Sequence, residues 1–177
     1  MPATNPDDAS ADTKRTDAAI DAPADARVCP GAPANCSLFT CPSSTSCYYL
    51  CGTTGTTDVS WAGAKGSCES SQRGCLVTIS DQPEQDCITQ HAMPSFPNAA
   101  TWVGFRQATN ATQVNQGWAW ICGTSSYLSP AWGMFEPNDN DVNPNEDHEE
   151  DCLALEDGGG WNDADCTGSG RFVCELL

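Results

Sequence analysis

Residues 136–166 read EPNDNDVNPNEDHEEDCLALEDGGGWNDADC and carry more information than any other part of the chain. Carboxylate and amide side chains crowd this stretch, which also holds the triplet Trp161-Asn162-Asp163 near its end. Carboxylates, side-chain amides and carbonyls are the ligands of a hard cation such as calcium, which takes about 6–8 oxygens. The stretch therefore predicts a calcium site.

The overall charge excludes several classes of partner. The chain has 177 residues and a formal net charge of −17, so it should be repelled by nucleic acid phosphates and by anionic membranes. No apolar run in the sequence approaches the roughly 20 residues that a membrane-spanning helix needs. We therefore expect cations and neutral polar molecules as partners, with no nucleic acid and no transmembrane segment.

The twelve cysteines indicate an oxidising compartment. Cys47 and Cys51 come nearest to a zinc-binding pair, but a matching second pair and a nearby histidine are missing. An even number of scattered cysteines instead predicts disulfides. We expect a protein that is secreted or tethered at a cell surface. Because no signal-like segment is visible, we expect the chain to be either a mature form or a version that carries an added Met1.

Composition divides the chain into three segments. Residues 1–28 are rich in Ala, Asp, Thr and Pro and contain almost no large apolar side chain, which predicts a disordered acidic tether. Residues 29–40 are a cysteine-bearing extension that we expect disulfides to hold in place. Residues 41–177 are expected to form the folded domain.

Short apolar runs and two helical patterns alternate within that domain. A helix is predicted over 60–70, with Ser60 as its N-cap. A second begins at a capping-box-like pair, Asp81 and Glu84, and ends near His91. Strands are predicted over 47–50, 76–79, 101–105, 118–121, 153–155 and 171–175. Residues 123–150 have little regular pattern, and an ordered loop of that length is usually functional. The elements indicate an α+β fold.

Several short motifs follow one another in a characteristic order. They are Trp102-Val103-Gly104-Phe105, Trp118-x-Trp120 with Gly123 and Trp132, Glu136-Pro137-Asn138, Trp161-Asn162-Asp163, and the closing Phe172-Val173-Cys174-Glu175. With Cys68 at the end of the first predicted helix, this series resembles the C-type lectin-like domain over residues 41–177. The resemblance implies two helices, two small antiparallel sheets, a long calcium-binding loop and several disulfides.

The resemblance also implies two particular disulfides. Cys68 would pair with Cys174, and Cys152 would pair with Cys166 across the binding loop. The connectivity of the other cysteines cannot be deduced from sequence. The pairings we consider are Cys47 with Cys41 or Cys36, Cys75 with Cys87, and Cys51 with Cys122, with Cys29 left unassigned.

Carried over residue by residue, the resemblance assigns the principal calcium site to Glu136, Asn138, Glu150, Asn162 and Asp163. It also implies a cis peptide bond between Glu136 and Pro137. Two adjacent sugar hydroxyls would bind the same ion, and each would also meet one carboxylate and one amide. Those acceptor and donor groups would come from Glu136, Asn138, Glu150 and Asn162. In the family, the order Glu-Pro-Asn goes with mannose, N-acetylglucosamine, glucose and fucose.

The chain departs from the family pattern at residues 139–149, which are longer than in the simplest mannose-binding members. Asp139 and Asp151 match two residues of an auxiliary calcium site, but Gln107, Thr109 and Asn110 stand where acidic partners are expected. The insertion favours an alternative in which a calcium-stabilised domain binds a protein, or else ice or mineral.

No enzymatic activity is predicted. A glycosidase would use a pair of carboxyls as acid and nucleophile, but the carboxylates of this chain are better explained by a cation, and no separate acid/base pair emerges. A monosaccharide buries little surface, so its affinity should be about millimolar, and an oligomer would raise the avidity.

Overall fold

The computed structural model describes residues 28–52, 59–72, 74–92, 100–128, 132–140, 150–156 and 158–176. Within these ranges the chain forms eight strands and two helices. In chain order they are β1 (Cys36–Phe39), β2 (Cys47–Cys51), α1 (Trp61–Gln72), β3 (Cys75–Leu76), α2 (Gln82–Ala92), β4 (Thr101–Arg106), β5 (Ala119–Trp120), β6 (Cys152–Leu155), β7 (Trp161–Ala164) and β8 (Arg171–Leu176). Residues 1–27, most of the predicted tether, lie outside the described residues.

Local capping explains where both helices begin. Gly63 N donates to Ser60 Oγ at 3.3 Å before the first turn of α1, so Ser60 is the N-cap that the sequence predicts. At α2, Glu84 N donates to Asp81 Oδ1 at 2.9 Å. The return bond of the capping box comes from Ser80 N to Glu84 Oε2 at 2.8 Å, one residue earlier than in the standard motif. Both predicted helices are confirmed.

The strands form one mixed sheet in the order β1-β2-β8-β4-β6-β7, with β3 added to β8 and β5 added to β4. This corrects the expectation of two small antiparallel sheets. The two antiparallel parts of the sheet are connected by a parallel pairing of β4 with β8, in which Thr101 lies opposite Arg171 and Trp102 opposite Phe172. Such a join brings together strands that are far apart in the chain, so no local sequence pattern reveals it.

Two strands were absent from the sequence-based prediction. β1 lies within the 29–40 extension and pairs with β2. β7 contains Trp161-Asn162-Asp163 and pairs with β6, with Ala154 opposite Asn162 and Leu153 opposite Asp163. Asn and Asp are disfavoured in strands, so β7 depends on its partner strand rather than on its own propensity.

Both faces of the sheet are covered. Buried side chains form two apolar clusters, and successive residues of β2 alternate between them, with Tyr48 and Leu50 in one and Tyr49 in the other. The first cluster includes Ile88 of α2, and the second includes Ala64 of α1. The two helices therefore cover opposite faces of the sheet. Among the described residues, no helix has the length and apolar composition needed to cross a membrane.

All twelve cysteines are paired, and none is free. The bridges are Cys29–Cys47, Cys36–Cys51, Cys41–Cys87, Cys68–Cys174, Cys75–Cys122 and Cys152–Cys166. Cys68–Cys174 and Cys152–Cys166 are the two that the resemblance implies.

The other suggested pairings were wrong. Cys36 lies directly opposite Cys51 in the β1–β2 ladder, with a Cα–Cα distance of 4.0 Å. Cys51 therefore pairs with Cys36 and not with Cys122. Cys47 then pairs with Cys29, while Cys41 reaches Cys87 on α2.

Candidate functional site

The candidate site is supported by the buried residue at the start of β7. Trp161 is fully buried, and its ring packs against Phe105 and Trp120 at centroid distances of 5.5 and 5.8 Å. Its indole Nε1 donates to Gln85 Oε1 at 2.8 Å. Because Trp161 immediately precedes Asn162 and Asp163, this packing fixes the position of those two residues.

Gln85 of α2 connects the helix to β7. Its Oε1 accepts from Trp161, and its Nε2 donates to Gly159 O and to Thr89 Oγ1, each at 3.1 Å. Gly159 has a φ of +81°, and a Cβ at that position would lie 2.4 Å from Thr89 Cγ2, so glycine is required there. Gln85 was not among the predicted site residues. The sequence did contain one indication of its role, because Gln85 is a side-chain amide at an apolar-face position of the predicted second helix.

Residues 132–140, here called the binding turn, lie beside β7. Trp132 forms a parallel bridge with Trp161, and Gly133 N donates to Trp161 O at 2.8 Å. Glu136 N then donates to Gly133 O at 3.1 Å, which closes a tight turn. The peptide bond between Glu136 and Pro137 is cis. This arrangement places Glu136 and Asn138 next to the strand that carries Asn162 and Asp163.

The Asp163 carboxylate fastens the binding turn to β7. It is 1% exposed and accepts hydrogen bonds from Asn138 N at 3.0 Å to each oxygen and from Asp139 N at 2.7 Å. Glu150 makes a similar contact, because its Oε2 accepts from Asn140 N at 2.6 Å. Hydrogen bonds to a carboxylate are among the stronger ones in proteins. Asp163 therefore holds the two halves of the site together.

Negative charge is concentrated around Glu136. Its Oε2 is buried and has no hydrogen-bond partner. Burial raises the pKa of Glu136 to about 7, and contact with the Asp163 carboxyl and repulsion from Glu156 and Glu150 act in the same direction. Both desolvation and like charges disfavour the ionised form of a carboxyl.

The predicted ligands are brought together in part. Asp163 and Glu150 accept hydrogen bonds from the backbone of the turn that carries Glu136 and Asn138. Asn162 immediately precedes Asp163 on β7. In the part of the chain that the structure describes, no three His, Cys, Asp or Glu side chains already converge as a ligand set. The chemistry of the donors nevertheless fits calcium, since Glu136 Oε2 is a buried acceptor that lacks a donor. The Glu150 and Asp163 carboxylates have lone pairs that these backbone amides do not use, so both can bind the ion without losing those contacts.

Asp151, one of the two auxiliary calcium candidates, lies beside a loop that is held together by the side-chain amide of Gln107. Gln107 is 4% exposed, and its Nε2 lies 2.8, 3.3 and 2.7 Å from the carbonyl oxygens of Gln113, Val114 and Gln116. Its backbone N donates to Asp151 O at 2.8 Å. The neutral amide of Gln107 thus hydrogen-bonds to several backbone carbonyls of this loop and holds them close together. Asp139 and Asp151 remain candidates, and residues 141–149 of the insertion lie outside the described residues.

The Lectin C-type domain family matches residues 57–176, and the chain therefore belongs to that family. It is 33% identical over 147 residues to C-type lectin domain family 4 member G of Mus musculus, an alignment that covers 80% of this chain and 44% of that protein. It is 30% identical over 132 residues to the low affinity immunoglobulin epsilon Fc receptor of Homo sapiens, covering 74% and 35%. The chain thus spans less than half the length of these relatives, which are named as lectins and receptors rather than enzymes.

Solved structures agree with the family assignment. The mouse scavenger receptor C-type lectin carbohydrate-recognition domain aligns with a TM-score of 0.62 and 26% identity, covering 82% of this chain and 98% of that one. The cow CD23 carbohydrate-recognition domain, crystallised in the presence of GlcNAc2Man3 oligosaccharide, aligns with a TM-score of 0.60 and 27% identity, covering 84% and 98%. A calcium-independent type II antifreeze protein, at 22% identity and a TM-score of 0.57 with 85% and 95% covered, shares the fold alone.

Proposed function

We propose that this domain is a calcium-dependent lectin that binds mannose-type sugars. The residues that would hold the ion are Glu136, Asn138, Glu150, Asn162 and Asp163. The observation that carries the proposal is the contact of Asp163 with the backbone of Asn138 and Asp139, which joins the Glu-Pro-Asn turn to the Trp-Asn-Asp strand. Calcium bound there would supply coordination positions for two sugar hydroxyls.

The protein residues would orient those two hydroxyls. Glu136 and Asn138 form one acceptor–donor pair, and Glu150 and Asn162 form the other. A hydroxyl that donates to the carboxylate and accepts from the amide of one pair is held in one orientation. The Glu-Pro-Asn order favours equatorial 3- and 4-hydroxyls, as in mannose, N-acetylglucosamine and glucose, and fucose by related geometry. The oligosaccharide named for the cow CD23 structure contains two of these sugars.

The six disulfides support an extracellular setting for this function, whether the protein is secreted or held at a cell surface. Residues 1–28 would then be an acidic tether, and 41–177 the lectin domain. A single site buries little sugar surface, so affinity for a monosaccharide should be about millimolar. Presentation of several copies would raise the avidity for a glycan surface.

Affinity chromatography tests the proposal. The protein should be retained on mannose-agarose in calcium and released by a chelator, while galactose-agarose retains it weakly. The double variant Glu136→Gln, Asn138→Asp should shift the preference towards galactose, because it exchanges the acid and the amide. Asp165→Asn, an exposed acid near β7, is the matched control and should behave like the wild type. Failure to bind any sugar on a glycan array in calcium would refute the proposal.

Protein binding is the second candidate function. It is favoured by the insertion at 139–149 and by the immunoglobulin epsilon Fc receptor among the relatives, whose name states a protein ligand. Calcium-dependent capture of a protein that free mannose does not displace would support it over sugar binding. Ice or mineral binding has only the shared fold in its favour.

A further inference from the structure

Two large apolar side chains stand exposed beside the candidate sugar site. Met134 is 82% exposed and Phe135 is 85% exposed, and they immediately precede Glu136 in the binding turn. Trp132, two residues before Met134 in the same turn, packs against the buried aromatic cluster around Trp161, yet neither Met134 nor Phe135 joins that cluster. Burial within the domain therefore gives no reason for apolar residues at these two positions.

The backbone of Phe135 makes its presence still less expected. Among the described residues, three that are not glycine have a positive φ, namely Asn35, Phe135 and Asp139. Asn and Asp tolerate this left-handed conformation because their short polar side chains bond locally, whereas it is an outlier for a bulky residue. Phe135, with a φ of +76°, is thus both conformationally disfavoured and exposed. An outlier of this kind in a binding turn points to a role outside the fold.

The position of these side chains relative to Glu136 is defined by the turn. Gly133 N is bonded to Trp161 O, and Glu136 N is bonded to Gly133 O, so Met134 and Phe135 occupy the two central positions of a closed turn. A Cβ placed on Gly133 would lie 3.2 Å from Glu136 Cγ, which shows how closely the two ends of the turn approach. Met134 and Phe135 therefore stand within one or two residues of a proposed calcium ligand.

We propose that Met134 and Phe135 form a subsite for an apolar substituent, an acyl chain or an aryl group, carried by the sugar that binds at Glu136 and Asn138. This inference rests on the proposed function. Whenever that sugar binds at Glu136, an apolar group attached to it would be brought to the turn as well. An anionic membrane or acidic protein surface is disfavoured, because Glu136 already lies within the repulsive field of Glu150 and Glu156.

The expected gain in affinity follows from the surface that would be buried. Covering about 100 Å² of apolar surface, at about 25 cal/mol per Å², strengthens binding by roughly 70-fold before ordering costs, and those costs reduce the gain. A gain of about tenfold or more should therefore separate a sugar with an apolar substituent from the same sugar without one.

Titration calorimetry in calcium with methyl α-mannoside and hexyl α-mannoside tests this subsite. Wild-type protein should bind the hexyl compound about tenfold or more tightly, and hexyl β-galactoside should bind no better than methyl β-galactoside. The variant Met134→Ser, Phe135→Asn should lose this gain while binding methyl α-mannoside as before, since Asn tolerates the positive φ. Leu38→Thr removes a partly exposed apolar residue from β1, at the far edge of the sheet, and should retain the gain.

Each contrary result is distinguishable. Equal affinities of the wild type for the two mannosides would overturn the subsite and leave the proposed function standing. A gain that survives in the double variant, or that appears equally with hexyl galactoside, would also overturn it. A gain with α-mannobiose and none with the hexyl compound would assign the turn to a second sugar residue instead. If neither mannoside binds wild-type protein in calcium, the proposed function itself fails, and the subsite with it.

Discussion

The two halves of the candidate site, β7 and the binding turn, are held by different means. β7 is paired with β6 along its length, and its first residue is a fully buried tryptophan bonded to Gln85. The binding turn is attached by a few backbone hydrogen bonds, to Trp161 O and to the Asp163 carboxylate. The strand half is therefore stabilised by the core, while the turn half depends on the strand. We expect removal of the buried anchor of β7 to destabilise the domain, and changes in the contacts between Asp163 and the turn to affect binding alone.

Trp161→Ala should have the largest effect on this comparison. Removing a buried tryptophan typically costs about 3–5 kcal/mol, and here it would also leave Gln85 Oε1 without its donor. Urea unfolding should show a loss of that size. Trp161→Phe, which keeps a ring and loses the N–H, should cost less. A loss below about 1 kcal/mol for the alanine variant would show that β7 is not anchored through the core.

Asp163→Asn should separate the two halves. An asparagine retains one acceptor oxygen but presents an NH2 group to the backbone amides of Asn138 and Asp139. It also removes one carboxylate from the proposed ligand set. We expect calcium affinity to fall roughly 100-fold, or about 2.7 kcal/mol, as measured by calorimetry. Asp165→Asn makes the same charge change at an exposed position, and an equal loss there would contradict the role assigned to Asp163.

Gln85→Leu should weaken the anchor of β7 from the helix side. The substitution leaves the Trp161 indole N–H and the Gly159 carbonyl without their partner, and an unsatisfied buried polar group costs about 1–3 kcal/mol. We expect a loss of stability of about 2 kcal/mol in urea unfolding. Gln90→Leu, at a more exposed position of α2, should cost far less. Equal effects of the two variants would mean that the amide of Gln85 has no special part in the scaffold.

Removal of calcium should produce the smallest effect and the most local one. Hydrogen exchange at the amides of Asn138 and Asp139 should accelerate about tenfold with a chelator, a change of about 1.4 kcal/mol in local opening. The amides of β7 that pair with β6 should exchange at the same rate with and without calcium. Equal acceleration in both places would show that the turn and the strand open as one unit.

The sequence was informative wherever the interactions are local. Ser60, Asp81 and Glu84 were recognisable as helix signals because a cap acts within four residues. The order of motifs was enough to place the chain near its family, and the family match over residues 57–176 confirms that placement. The cysteine partners outside the two implied bridges were wrong, because residues that meet across a sheet or against a helix carry no mark of it in sequence.

Taken alone, the sequence determined the two helices, the resemblance to the C-type lectin family and a list of candidate ligands, since each depends on residue type and short spacing. Only the tertiary structure decided that Trp161-Asn162-Asp163 is a strand, that the sheet is continuous through β4 and β8, and that Gln85 supports the site. It also revealed Met134 and Phe135 as exposed neighbours of Glu136. These features depend on burial and on contacts between distant residues, such as Gln85 with Trp161, which are 76 positions apart, and folding alone brings such residues together.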